Sequence, residues 1–188
     1  MMLPKDTLYF DTETLGLNPY KKENKIVTTQ FGEIVKNKLT IEVFKEWEIG
    51  EELLITKTLQ KLCSVKKYVP VFTYNGAFDL LNIIGRMRYN DYEEEDYFNA
   101  FNILNGWIKH CDMIQFDNGY FVSMDKICNE YDIKSNCLYR GSDIPKLYEL
   151  KEYDKIIAHG TDDIDRLYRL VNETNLSDRF YSVSVLKK

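Results

Sequence analysis

Leu8-Tyr9-Phe10-Asp11-Thr12-Glu13-Thr14-Leu15-Gly16-Leu17 decides how the rest of the chain is read. It begins as an apolar, aromatic run of the kind that makes a buried strand. It then sets two acids where the run ought to stay apolar. Side chains of an extended chain alternate faces, so Asp11 and Glu13 point the same way, about 6.5–7 Å apart along the strand. Adjacent carboxylates repel each other and are costly to desolvate. A bound cation is the usual way to keep both ionised, and oxygen ligands without a Cys or His cluster suit Mg²⁺ or Mn²⁺. The competing reading is a strand end whose acids simply point into water.

Beyond Gly16 comes a polar turn, Asn18–Asn24, and then two β-rich runs, Ile26–Val35 and Leu39–Ile49, with Lys36-Asn37-Lys38 between them as a tight turn. Residues 6–49 therefore read as three antiparallel strands. Glu51–Val65 carries Leu53, Leu54, Leu59 and Leu62 at helical spacing. Val69–Tyr74 is a short apolar strand, and Phe78–Met87 a helix with Leu80, Leu81, Ile83 and Ile84 on its inner side. Residues 88–108, acidic and aromatic, read as a surface insertion. Cys111–Phe116 is expected as a further strand, and Val122–Tyr131, Ile144–Tyr153 and Ile156–Thr174 as helices. A meander followed by alternating strand and helix implies one α/β domain over residues 1–188, with a mixed sheet flanked by helices.

The totals agree with that reading. A chain of 188 residues fits one domain with a sizeable core. No apolar run approaches the roughly 18 residues that span a bilayer, so no membrane partner is expected. The N-terminus leads almost directly into the acid-bearing strand, which leaves no room for a signal peptide. Cys63, Cys111, Cys128 and Cys137 form no CxxC pair and read as reduced thiols of a cytoplasmic protein, and two histidines supply a zinc site poorly. A net charge of -5 argues against broad binding to duplex nucleic acid. It does not exclude a nuclease, whose active-site carboxylates count as negative until metal neutralises them.

Two further acidic sites follow. Val71-Phe72-Thr73-Tyr74-Asn75-Gly76-Ala77-Phe78-Asp79 places Asp79 in the first turn of a helix, where free backbone N–H groups favour an anion. An Asp there is also often only a cap. In Ile156–Leu167 three acids compete. At 100° per residue Asp163 lies roughly 70° from the mean direction of the apolar stripe, and Asp165 and Asp162 roughly 130° and 170° away. Asp163 is therefore expected at the edge of the buried face and the other two in solvent. His159 stands one turn before Asp163 on its side of the helix; a surface histidine near a helix start is the alternative.

In order and interval, Asp11-Thr12-Glu13, Asn75-x-x-Phe78-Asp79 and His159-x-x-x-Asp163 resemble the three motifs of the DEDD 3′–5′ exonucleases, a family that includes polymerase proofreading domains and ribonucleases D and T. The resemblance spans nearly the whole chain. It implies the ribonuclease H-like fold, with a five-stranded sheet made of a three-strand antiparallel meander and two parallel strands. It departs from the family at one point, since the Tyr-type branch carries Tyr-x-x-x-Asp and the His-type branch has one more residue before its Asp. This chain has His in the Tyr-type spacing. Met124–Asn129, Ile133-Lys134 and Ile144-Pro145 also look similar to the exonuclease region of family B polymerases, so the chain reads as a Tyr-type relative with His159 in place of the tyrosine.

The resemblance implies two ions, Mg²⁺ or Mn²⁺, about 4 Å apart. Asp11 would bridge both, Glu13 and Asp163 would support one, and Asp79 would act on the other through a water. His159 would be the general base, a role that suits an imidazole near neutral pH. Thr12, Thr14, Leu15 and Gly16 would meet the terminal nucleotide, and Tyr74, Asn75 and Phe78 would hold or stack the next base, although Tyr74 and Phe78 can equally be core aromatics. Lys21, Lys22, Lys134 and Arg140 are candidates for phosphates or for ordinary solvated positions. The expected partner is single-stranded nucleic acid with a free 3′ end, DNA favoured over RNA, cut to nucleoside monophosphates. The alternatives are a catalytically weak binding or polymerase-accessory module, and an endonuclease on the same fold.

Overall fold

β1 (Leu8–Thr14) is the middle strand of a five-stranded sheet ordered β3-β2-β1-β4-β5. The computed structural model describes residues 7–66, 69–93, 96 and 109–176, so most of the insertion expected over 88–108 lies outside the described residues. β1 pairs antiparallel with β2 (Ile26–Val35), which pairs antiparallel with β3 (Lys38–Lys45). On its other side β1 pairs parallel with β4 (Pro70–Thr73), and β4 parallel with β5 (Lys109–Asp112). The sheet is thus the expected meander extended by two parallel strands. Lys36 and Asn37 both take positive φ, 51° and 63°, which gives the β2–β3 turn the twist that two-residue hairpins favour.

Helices cover both faces of the sheet. On one, α2 (Glu51–Ser64) and α3 (Gly76–Tyr89) bury Leu54, Ile55, Ile83 and Met87 against Leu8, Phe10 and Phe31. On the other, α6 (Tyr153–Glu173) sets Ile164, Leu167, Leu170 and Val171 against Tyr9 and Phe72. Burial on both faces explains why β1 reads as a continuous apolar run rather than an alternating one. Two glycines let α6 lie flush on β2. A Cβ at Gly160 would stand 2.0 Å from Gln30 Nε2, and one at Gly32 would stand 2.6 Å from Ile164 Cγ2. The height of α6 above the sheet is fixed at those two crossings.

Several boundaries differ from the sequence reading. The third strand stops at Lys45, and residues 46–49 turn into α1 (Glu46–Ile49) because Glu46 is drawn inward by Lys25 and by the Tyr148 hydroxyl. Leu81 and Leu53 face solvent, with exposures of 64% and 45%, rather than the core. The strand expected over Cys111–Phe116 breaks after Asp112, whose Oδ1 accepts the N–H groups of Asn75 and Ile114. The chain then forms a separate hairpin, β6 (Gln115–Asp117) and β7 (Tyr120–Val122). α4 (Met124–Glu130) follows under a Ser123 cap. α5 (Ile144–Glu149) ends before Tyr153 at a positive-φ Lys151, so the helix expected over Ile144–Tyr153 is two helices meeting at a break. Among the described residues, no helix is long and apolar enough to cross a membrane.

A buried ion pair ties the first strand's exit loop to the helices. Arg86, 1% exposed, donates Nε and Nη2 to the two oxygens of Glu51 at 2.8 and 2.6 Å and Nη1 to the carbonyls of Pro19 and Lys21. Glu51 also accepts the Ile26 N–H at 2.9 Å. Removing one member strands the other's charge away from water, which costs about 3–5 kcal/mol. Glu51→Ala is therefore expected to lower the unfolding free energy, read from urea denaturation, by that amount. Replacing Glu51 and Arg86 together by apolar residues of similar volume should recover much of it; equal losses in the single and double variants would remove the pair from this account.

Candidate active site

The acids gather at the edge where the parallel strands end, the place where open α/β sheets bind ligands. Asp11 and Glu13 lie on the face of β1 that α6 covers, opposite Gln30 and Thr28 of β2. Asp79 enters from the start of α3, directly after β4. Asn75 makes that turn possible by taking a left-handed conformation, φ 62°. Asp79 is 3% exposed, and its Oδ1 accepts the Thr12 hydroxyl at 2.6 Å. Thr12 points to the opposite face of β1 from Asp11 and Glu13 and so reaches round to α3.

α6 supplies the third side. His159 Nε2 is 3.7 Å from Glu13 Oε1, and His159 Nδ1 is 3.7 Å from Asp163 Oδ1. Both separations exceed a hydrogen bond. Ligand atoms of Glu13, His159 and Asp163 lie within 4.8 Å of one another, a spacing that can hold a metal ion. Asp11 Oδ2, Glu13 Oε1 and His159 Nδ1 are buried and lack a hydrogen-bond partner. Buried polar atoms are seldom left so, and a carboxylate-rich donor set suits Mg²⁺ or Mn²⁺; the residues present fit a divalent cation. The His159 ring thus stands between two carboxylates.

Burial and crowding work against ionisation here. Burial, then the charges of Asp79, Glu13 and Asp163, push Asp11 well above the usual carboxylate range. Glu13 is raised in the same way by burial and by Asp163 and Asp79. Burial lifts Asp79 to about 7 despite the Thr12 hydrogen bonds that oppose it. Asp163 is raised by burial too, but His159 and the Arg166 guanidinium hold it down.

The acids open into a cleft of about 800 Å³, with Tyr74, Asn75 and Phe78 on its wall. Thr14, Leu15 and Gly16 are not among its walls. The Thr14 hydroxyl donates to the Gly16 carbonyl, and Leu15 packs against the cluster of Val27, Ile144 and Ile156. Arg140 stands at the cleft rim, whereas Lys21, Lys22 and Lys134 do not line it. The expectation that Asp162 faces solvent is overturned. Asp162 is 7% exposed and accepts the Ser135 hydroxyl at 2.7 Å and the Asn136 N–H at 2.8 Å. It also pairs with Arg166 Nε at 3.1 Å. The segment after α4 packs over that side of α6, which the apolar stripe alone does not reveal.

Arg166 itself escaped the sequence reading. It bonds Asp163 on its own helix and Asp125 on α4, and the i,i+3 spacing from Asp163 is the signal that points to it. Asp112, which holds the β4–α3 turn, had no comparable signal.

A mixed five-stranded sheet with acids clustered at the ends of its central strands defines a ribonuclease H-like α/β fold. Residues 8–175 match the RNase_H superfamily, and the chain belongs to it. No curated protein matches the sequence. Among solved structures, the family B DNA polymerase of the hyperthermophilic archaeon Pyrobaculum calidifontis superposes with a TM-score of 0.61 at 12% identity, over 90% of this chain and 24% of the polymerase. E. coli Exonuclease I, solved in complex with a 5cy-dT13 oligonucleotide, superposes with a TM-score of 0.50 at 12% identity, over 95% of this chain and 43% of the exonuclease. The chain thus spans a quarter to under half of these larger proteins, and at such identities the likeness concerns the fold.

A raised carboxylate pKa sets the sign of the pH dependence. Between the ordinary value of 3.8 and about 7 the folded protein holds a proton on Asp79 that the unfolded chain has released, so stability is present below that window and lost as pH rises through it. The melting temperature of EDTA-treated protein should carry such a fall from about pH 4 to about pH 7, and Asp79→Asn should flatten it. Added Mn²⁺ should raise the melting temperature more at pH 8 than at pH 5.5, because the ion must displace those protons. A metal effect independent of pH would contradict the assignment.

Proposed function

We propose that this chain is a metal-dependent 3′–5′ exonuclease of the DEDD type that hydrolyses single-stranded nucleic acid, DNA in preference to RNA, to nucleoside monophosphates. Residues 1–188 act in this reading as one exonuclease domain. The observation that carries it is the convergence of Asp11, Glu13, Asp79 and Asp163 on one cleft, with Asp11 Oδ2 and Glu13 Oε1 buried and unpaired. Asp11, Glu13, Asp79 and Asp163 would hold two Mg²⁺ or Mn²⁺ ions. Bound there, such ions neutralise the carboxylates, lower the pKa of water and stabilise charge on the leaving oxygen.

The chain's own residues do the rest. His159 takes the proton of the attacking water, its ring held between Glu13 and Asp163 at 3.7 Å from each. Thr12 keeps Asp79 aimed at the cleft through the 2.6 Å hydrogen bond. Tyr74, Asn75 and Phe78 receive the last nucleotides of the strand. A second reading, a catalytically weak binding module, draws support from Arg166, which already occupies Asp163 and competes with a cation for it.

End-labelled single strands, deoxy and ribo, incubated with Mg²⁺ or Mn²⁺ separate the two. The exonuclease gives a ladder from the 3′ end, faster on DNA, that EDTA and Asp11→Ala abolish. Binding without cleavage supports the module, and cutting of circular strands makes the chain an endonuclease. His159→Ala should slow hydrolysis about 10²–10⁴-fold while Mn²⁺ affinity, read by calorimetry, stays near that of the unaltered protein. Full turnover in that variant removes the histidine from the base role, and a large loss of Mn²⁺ affinity makes it a ligand.

A further inference from the structure

The β6–β7 hairpin belongs to neither the sheet nor the acid cluster, yet it stands beside the cleft. Its turn is Asn118-Gly119, both at positive φ (49° and 83°), the combination that closes a tight two-residue hairpin. A two-stranded ribbon is marginal in water by itself, and this one is tied down. Val122 is buried, its carbonyl accepts the Tyr74 hydroxyl at 2.7 Å, and Met113 N donates to the Thr73 carbonyl at 2.8 Å just before the ribbon begins.

What the ribbon presents is aromatic. Phe116 and Phe121 are directly paired across it, so they share one face. Phe121 lines the cleft and sits edge-on to Tyr74, ring centroids 6.3 Å apart at 66°. Both phenylalanines are exposed, Phe116 by 64% and Phe121 by 52%. Exposed large apolar side chains set together on a rigid support mark a binding surface more often than scattered ones do. Tyr74 and Phe121 meet on the cleft wall beside Asn75 and Asp79, and Phe116 stands next to Phe121 across the ribbon, so the three rings lead from the cleft onto the hairpin.

We propose that this row is a stacking ladder for the bases upstream of the cleaved bond, with Phe121 taking one base and Phe116 continuing the path. The proposal rests on the exonuclease reading for its choice of ligand. The occupant is a single strand rather than a duplex, since only unpaired bases offer both faces to side chains. The cleft floor is acidic and the chain carries a net charge of -5, so phosphate attraction contributes little away from the metal site. Apolar stacking on a fixed ribbon supplies what the charge does not, and it tolerates any base.

Affinity measured without turnover tests this apart from the chemistry. Fluorescence anisotropy of labelled oligo-dT is read with Ca²⁺ in place of Mg²⁺, on the full chain. Phe121→Ala should weaken binding about 10- to 100-fold, the range that stacking of one base spans, and Phe121→Trp should restore it. Abasic sites are then placed one at a time at the second to fourth nucleotides from the 3′ end. One of these strands should bind the unaltered protein as weakly as Phe121→Ala binds the intact strand, and the variant should lose nothing further on it. Phe121→Ala and Phe116→Ala variants that both bind oligo-dT as tightly as the unaltered protein overturn the ladder and assign the aromatic face to something other than the strand. Cleavage with unchanged affinity in both variants sinks the ladder and spares the exonuclease reading; aromatic-dependent binding without cleavage does the reverse.

Discussion

Carboxylates crowded out of water repel one another, and the arrangement of this molecule is largely a means of holding them together. Asp11 and Glu13 cannot separate, because they lie on the same face of the central strand. Asp79 is kept close by a hydroxyl from the other face of that strand. Asp163 is held from a helix that two glycine crossings keep against the sheet. Such a cluster is unfavourable as an isolated set of anions: burial raises all four carboxylates, and charge from the others in the cluster raises Asp11 and Glu13 further. Arg166 and His159 offset part of that repulsion on the α6 side only. On the strand side the described residues bring the Thr12 hydroxyl to Asp79, and it is there that Asp11 Oδ2 and Glu13 Oε1 lack a hydrogen-bond partner.

Much of this was legible in the sequence because it rests on local rules. Period two puts Asp11 and Glu13 together, alternation of element types gives the mixed sheet, and the ordered motifs pick Asp79, His159 and Asp163 out of thirty acids and two histidines. Asp162 is buried where the apolar stripe alone puts it in solvent. An apolar stripe locates the face a helix turns to other apolar groups, but α6 also buries His159, Asp162 and Arg166. Adding these polar residues widens the buried arc and brings its centre round toward Asp163. No helical wheel weighted by hydrophobicity sees a face covered by a polar loop.

The hairpin is a different kind of omission. Asn-Gly between β-prone residues is the strongest short-range hairpin signal, and Asp117-Asn118-Gly119-Tyr120 carries it openly. A strand read over Cys111–Phe116 overlaps the hairpin's first arm and conceals it. What ends β5 is long-range: Asp112 turns its carboxylate to the amide of Asn75, 37 residues earlier, and to that of Ile114. A contact at that separation leaves no trace in a window of a dozen residues.

These contacts divide the cleft into a part that the sheet fixes and a part that helix packing sets. Asp11, Glu13, Thr12 and Asp79 are joined through β1 and the β4–α3 turn, and Asp112 braces that turn from β5. None of these links runs through α6. His159 and Asp163 reach the same place only because Gly160 and Gly32 allow α6 to approach, and because Arg166 links the helix to α4 through Asp125. The segment that lines the outer cleft is tied in turn to Asp162, one residue from Asp163. The helix that carries Asp163 and His159 thus also holds the segment lining the outer cleft, and Asp162 and Arg166 are its polar links to that segment and to α4.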